Sequence, residues 1–284
     1  MIPSTHYQAF HRNLASRRLS PWITVAAAAS AAAIAISGCS KGGTGNAASS
    51  PALNQIKLAA DTSAHVNSLT ASIAVRSVGS HGGGLTGTIQ MQIKPAKLIE
   101  AKFNVAAASS PTIHLDEILT GQAIYFKDPA FAKSAGKPWV KVKISQLTSK
   151  SGLSFGSLLQ NLEGSNPLDQ TRLFTASKDV HVMGSRTIDG VPTTEYAGSY
   201  APQTAYAGLK APMRKLLGPM LRSIGTHSVH FHVWIDAQHM IKKADDTQSV
   251  RGQTVTTTFT VTSVNQPVSV TLPTTAQTAP LPHL

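Results

Sequence analysis

The chain has 284 residues, of which 42% are hydrophobic, 6% aromatic and 13% charged, with 25 Lys and Arg against 13 Asp and Glu. That apolar share is enough for a packed core and excludes wholesale disorder. A single cysteine excludes both an intramolecular disulfide framework and a Cys-rich zinc module. The formal charge of +12 points to an anionic partner, either nucleic acid or a membrane surface.

Residues 1–20 hold Arg12, Arg17 and Arg18 and no acid, and after Pro21 an apolar run covers residues 22–36. A basic stretch, a short apolar stretch and small residues at the exit describe an export signal. The run is about fifteen residues, short of the roughly 20 that span a bilayer as a permanent helix. It closes on Ile36-Ser37-Gly38-Cys39, which resembles a bacterial lipobox and contains the only cysteine. The sequence therefore predicts that residues 1–38 are a lipoprotein signal peptide and that Cys39 is lipidated, with two or three acyl chains giving firm anchorage. Ser16-Arg17-Arg18 leaves twin-arginine export open beside the general route. Loss of residues 1–38 removes three arginines and no acid, so +12 becomes +9. Residues 39–52, rich in Gly, Ser and Ala, read as the lipidated cysteine and a flexible tether. The domain is expected on the extracellular face of the cytoplasmic membrane, which removes nucleic acid as a partner.

Apolar residues at Leu53, Ile56, Leu58, Ala60, Ala64 and Val66 predict an amphipathic helix over 53–69. The period then becomes two: Leu69, Ala71, Ile73 and Val75, a turn at 81–84, then Ile89, Met91 and Ile93. Beyond Pro95, Ile99, Ala101, Phe103 and Val105 alternate with polar residues, and strand patterns follow at 112–119, 123–127 and 139–144. Residues 145–162 read as helical in pieces, and Asn166 and Pro167 predict a helix start running to 176. Strands are expected at 179–187 and 193–200, an amphipathic helix kinked by Pro219 at 209–224, and final strands at 228–235, 240–249 and 254–263. Residues 274–284 read as a loose tail. The fold class is α+β: one domain over 53–273, an antiparallel meander with one apolar and one wet face.

Little of this supports catalysis. Gly152-Leu153-Ser154-Phe155-Gly156 matches the nucleophile-elbow pattern, but the preceding segment is polar and supplies no buried strand to raise Ser154. His227, His230, His232 and His239 cluster, and His230 and His232 would share one strand face; without a zinc-peptidase motif they read as a solvated face opposite Val229, Phe231, Val233 and Ile235. Asp116 and Glu117, like Asp245 and Asp246, are neighbours on strands and point to opposite faces, so neither couple forms an acid–base pair. No enzyme, cofactor or metal is expected. The basic helix at 209–224 reads as an ordinary helix on the sheet, with a membrane-surface or lid element as its other reading.

A broad sheet of roughly eight to eleven strands with few helices must curl or pair to hide its apolar face. Strand parity puts Ile73, Val75, Ile89, Met91, Ile93, Phe103, Val105, Ile124, Phe126, Phe231 and Val233 on that face, the candidate lining of an apolar cavity. Such a cavity would favour acyl chains at about 0.8 kcal/mol per buried methylene.

The order of motifs adds to this. Cys39 in its lipobox, Tyr125-Phe126-Lys127-Asp128-Pro129, Gly136-Lys137-Pro138-Trp139-Val140-Lys141, residues 189–196 (DGVPTTEY) and Val233-Trp234-Ile235-Asp236 together resemble the LppX/LprA/LprF/LprG lipoproteins of actinobacteria. The resemblance implies a LolA/LolB-like fold, a strongly curved antiparallel half-barrel whose concave apolar side is covered by helices. It also implies a carrier of acylated lipid, glycolipid or lipoglycan, held to the cytoplasmic membrane and served by a membrane lipid exporter. Trp139, Tyr196 and Trp234 are open to a purely structural reading. The competing functional readings are an envelope scaffold or signalling lipoprotein with a filled core, and an anchored hydrolase resting on Ser154.

Overall fold

The computed structural model describes residues 50–79, 82–95, 98–107, 110–143, 171–207, 228–250 and 252–280. Cys39, the signal, Ser154, the pieces expected at 145–162, the start of the helix at 167 and the basic helix at 209–224 lie outside these residues.

Helix α1, Pro51–Ser63, starts where Ser50 accepts a hydrogen bond from the Leu53 amide at 3.2 Å and Pro51 occupies the first turn. The domain thus begins inside the stretch expected to be tether. Ala52, Ile56, Ala59, Ala60 and Ser63 form its buried stripe, whereas Leu58 is exposed. The helix also stops earlier than its pattern predicts. The Asn67 amide bonds the Asn265 side chain and its carbonyl takes the Ile93 amide, so the chain is drawn into sheet pairing from Ser68 onward.

The strands are β1 Ser68–Val78, β2 Gly83–Gln92, β3 Leu98–Ala107, β4 Ser110–Thr120, β5 Ala123–Lys127, β6 Trp139–Lys143, β7 His181–Ile188, β8 Val191–Tyr200, β9 Val229–Asp236, β10 Ile241–Val250, β11 Gln253–Val264 and β12 Thr278–Pro280. Short helices α2, Pro129–Ala135, and α4, Pro202–Ala207, carry no clear sequence signal; α3, Thr171–Phe174, falls within the stretch expected to be helical over 167–176. All twelve strands form one open, curved sheet in the order β12-β6-β5-β4-β3-β2-β1-β11-β10-β9-β8-β7. Two meanders, β1–β6 and β7–β11, are joined by the antiparallel β1–β11 pair.

That seam is fastened by side chains at both ends. The Ser68 hydroxyl donates to the Gln266 carbonyl at 2.6 Å, and the Ser77 hydroxyl donates to Gln253 Oε1 at 2.8 Å. The C-terminal segment is not the loose tail its composition suggests. Val270 packs with Ile118, Ala123, Tyr125 and Trp139 on the outer face, and β12 then pairs parallel with β6 and covers that sheet edge.

Candidate functional site

Following the strand register across the sheet shows which side chains share a face. Val140, Phe126, Glu117, Ala101, Ile89, Ala71 and Val261 are successive partners on one row. A second row runs Leu115, Phe103, Gly87, Ile73, Phe259, Ala244, Val233 and Tyr196. A third runs Val105, Leu85, Val75, Thr257, Asp246, Phe231 and Gly198. Because side chains alternate, these rows occupy one face, and it is the face on which α1 and α3 pack.

The residues singled out by parity fall on this inner face in two groups. Ile73, Val75, Ile89, Met91 and Phe103 are buried together, with Val105 and Ile93 packed at their edge; Ile93 lies just past the end of β2. Phe231 and Val233 belong to a second cluster, where Ile56, Ala59 and Phe174 of the helices cover Tyr196, Tyr200 and Ile235. There Phe174 stacks on Phe231 with ring centroids 4.4 Å apart, and a Cβ at Gly198 would lie 2.8 Å from the Phe231 ring. Ile124 and Phe126 extend the face along β5. Toward that end the cover thins: Ile99, Leu115, Leu119 and Phe126 are half-buried and Ile113 is 49% exposed. The inner face is therefore continuous, filled near α1 and still partly open over β3–β5.

Sequence reasoning separated the adjacent acids correctly but missed what the separation does. Asp116 points outward to Lys127 at 3.3 Å, leaving Glu117 between Ala101 and Phe126 on the apolar face. Asp245 points outward to Lys243 at 2.8 Å, leaving Asp246 between Phe231 and Thr257. Burial pushes Glu117 up to about 7. Burial, followed by the charge of Asp245, pushes Asp246 up to about 7 as well. Five strand steps separate β4 from β10, about 24 Å along the sheet at 4.8 Å per step. They cannot share the two sides of a scissile bond, which needs carboxyls about 5–9.5 Å apart. Parity with Leu115 and Leu119 was the available signal for Glu117; the run Lys242-Lys243-Ala244-Asp245-Asp246 has no alternation that would have flagged Asp246.

The outer face of β7–β10 is polar. Glu195 is buried there, accepting from Arg186 Nε at 3.0 Å and paired with His232 Nδ1 at 2.8 Å. Lys243 Nζ sits 4.3 Å above the Trp234 ring, so Trp234 is a platform in this network. His230 and His232 do share this face, His239 lies in the β9–β10 turn, and among the described residues no group of three or more His, Cys, Asp or Glu could hold a metal ion. A polar cleft of about 500 Å³ lies beside the β7–β8 hairpin, lined by Gln55, Arg186, Thr193, Tyr196, Asp236 and His239 among others.

The open twelve-stranded sheet superposes on LprF from Mycobacterium bovis. Its crystal structure superposes with a TM-score of 0.50 at 13% identity, over 78% of this chain and 96% of that one. The chain has the LprF fold. LppX, a lipoprotein of Mycobacterium tuberculosis, aligns over 78% of this chain and all of its own with a TM-score of 0.43 and 18% identity. In sequence, an uncharacterized 31.2 kDa protein of Streptomyces griseus, described by its position between rplA and rplJ, is 27% identical over 152 residues. That match covers 50% of this chain and 48% of the relative, so the chain spans about half the length of the curated protein it matches. No family model matches the chain. On this chain the apolar face that α1 and α3 partly cover is the candidate site.

Proposed function

We propose that the protein is an envelope lipoprotein, anchored through Cys39 outside the cytoplasmic membrane, that holds the acyl chains of a lipid, glycolipid or lipoglycan against the inner face of its sheet and carries them through the envelope. Residues 1–38 are its signal, residues up to about 50 its tether, and the remainder its binding domain; a membrane exporter is a natural partner. The observation that carries this reading is the inner face itself, one apolar surface spanning the sheet whose β3–β5 end keeps Ile113 and its neighbours partly exposed. Contiguous apolar surface left uncovered marks a binding site. The fold shared with LprF, and the naming of LppX as a lipoprotein, support the same reading. Binding would need no covalent chemistry, only acyl burial at roughly 0.8 kcal/mol per methylene.

Native and denatured masses of the purified protein test this directly. A carrier releases about one lipid per chain on denaturation, and the extract identifies its class. A protein that stays bare after incubation with host lipids is a scaffold. Ile89 gives the matching variant, because it stands on the inner face between the small side chains of Ala71 and Ala101. Ile89→Trp is expected to abolish lipid uptake while costing about 1–3 kcal/mol of stability, so the far-ultraviolet circular dichroism spectrum is retained. Uptake unchanged by the indole would place the lipid elsewhere.

A further inference from the structure

The polar cleft beside the β7–β8 hairpin stands apart from the half-covered end of the sheet. Ser185 pairs with Thr194, Thr194 with Ile235, and Thr187 with Pro192, so these side chains share the inner face with Tyr196. Gln55 of α1 lines the same space of about 500 Å³ from the side of the helix. Seven strand steps separate β8 from β4, roughly 34 Å along the sheet at 4.8 Å per step. Between them α1 and the Phe174–Phe231 stack fill the apolar face. An acyl chain lying over β3–β5 therefore does not bring its headgroup here.

Gln55, Ser185 and Thr187 line the cleft with side chains that have no protein partner among the described residues, and Thr194 is hydrogen-bonded to the Tyr196 phenol. The charged groups at its border are already engaged: Arg186 Nε with Glu195 at 3.0 Å, and Asp236 Oδ1 with the Gln238 and Met240 amides. An apolar ligand would desolvate the hydroxyls without bonding them. A phosphate or a metal ion would meet no uncompensated charge of opposite sign. A neutral polyhydroxylated molecule suits these walls, because each of its hydroxyls both donates and accepts. Tyr196, Pro192 and Ile235 add apolar edges for the C–H face of a sugar ring. His239 lines the cleft from the β9–β10 turn at φ 57°, a left-handed conformation that glycine adopts without strain. An imidazole retained on strained backbone beside a cleft marks a functional position.

We propose that this cleft is a second binding site, for the end of a neutral oligosaccharide, with Gln55, Ser185, Thr187 and His239 as its hydrogen-bonding residues. The site goes beyond the lipid-carrier reading and does not depend on it. On an anchored protein it would hold the domain against an envelope polysaccharide.

The test is titration calorimetry on the full chain with maltotriose, mannotriose and triacetylchitotriose, and with trigalacturonate as an acidic counterpart. At least one neutral trisaccharide is expected to bind, at least tenfold more tightly than trigalacturonate. Gln55→Ala combined with Thr187→Val is expected to weaken that binding at least tenfold. His239→Gly, which relieves the positive φ, is expected to weaken it severalfold while the urea midpoint stays level or rises, a split that a purely structural histidine would not give. Ile89→Trp, aimed at the acyl-binding face, is expected to leave sugar binding unchanged. The site is overturned if none of the neutral trisaccharides binds at millimolar concentration, if trigalacturonate binds as tightly, or if the cleft variants bind like the wild type. Sugar binding that falls in Ile89→Trp would make the two sites one and overturn their separation.

Discussion

On β10, Asp245 and Asp246 are adjacent in sequence and opposite in environment, one tied to Lys243 on the wet face and the other set against Phe231 on the apolar one. Asp246 and Glu117 both have their carboxyls pushed up to about 7, against ordinary values of 3.8 and 4.5. The folded chain therefore holds protons that the unfolded chain has released, and stability falls as pH rises from about 4 to about 7. The ceiling on either contribution is about 3–4 kcal/mol, lowered by the partial exposure of both residues. Urea unfolding at pH 5 and pH 8 is expected to show the higher midpoint at pH 5, and Asp246→Asn should shrink the difference; a midpoint higher at pH 8 would contradict the burial of both acids. Asp179 behaves in the opposite sense. Burial works against its ionisation but is outweighed by hydrogen bonds from the Ser177 and Ser199 hydroxyls and the Ser199 amide, which hold it at about 2. Its contribution is present above about pH 4 and disappears toward pH 2.

Several motifs behind the family resemblance turn out to be turn chemistry. Asp189 and Gly190, with φ of 48° and 80°, make the two-residue connection between β7 and β8, where only residues tolerant of positive φ fit. Asp236 accepts the Gln238 and Met240 amides through Oδ1 and closes the β9–β10 turn. Gly136, at φ 67°, ends α2 with its amide on the Ala132 carbonyl and returns the chain to β6. Such positions define the fold and say nothing about a ligand, whereas Glu117 and Asp246 stand outside the motifs. At the other end of the chain, the three residues of β12 close the β6 edge, and Lys137 Nζ donates to the Thr275 carbonyl at 3.2 Å. Deleting residues 275–284 is expected to cost about 2 kcal/mol and to expose β6 to intermolecular pairing. Urea denaturation and light scattering check this; an unchanged midpoint would mean that β12 is ornamental.

Across the whole molecule the two clusters of the inner face differ in how they are finished. Near β8–β10, α1 and the Phe174–Phe231 stack complete a packed core. Over β3–β5, Ala101, Phe103 and Ile124 are buried while Ile99, Leu115, Leu119 and Phe126 are half-buried and Ile113 is exposed, so part of the apolar area there gains when something else arrives to cover it. A lipid that binds the folded chain and not the unfolded one stabilises it by about 2.7 kcal/mol at a hundred times its Kd. Thermal unfolding with saturating lipid is therefore expected to show a rise of several degrees in Tm, largely absent in Ile89→Trp. A lipid that leaves Tm unchanged in the wild type would deny the inner face its role.

The strands from β1 to β11, and the face taken by residues on the strands that alternate, were legible in the chain, because a period of two is a local property that survives any tertiary arrangement. Ile73, Ile89, Phe103, Phe231 and Val233 could thus be assigned to one side before their neighbours were known. The end of α1 at Ser63, the packing of residues 265–280 and the environment of Asp246 could not. Each depends on partners distant along the chain: Asn265 against Asn67, β6 beneath β12, and Phe231 beside a carboxyl whose own strand shows no alternation. Sequence alone determined that the chain makes a sheet with one apolar face. Only the tertiary structure decided how much of that face is covered and which polar group stands on it, because burial is set by the elements that pack from elsewhere and not by the strand itself.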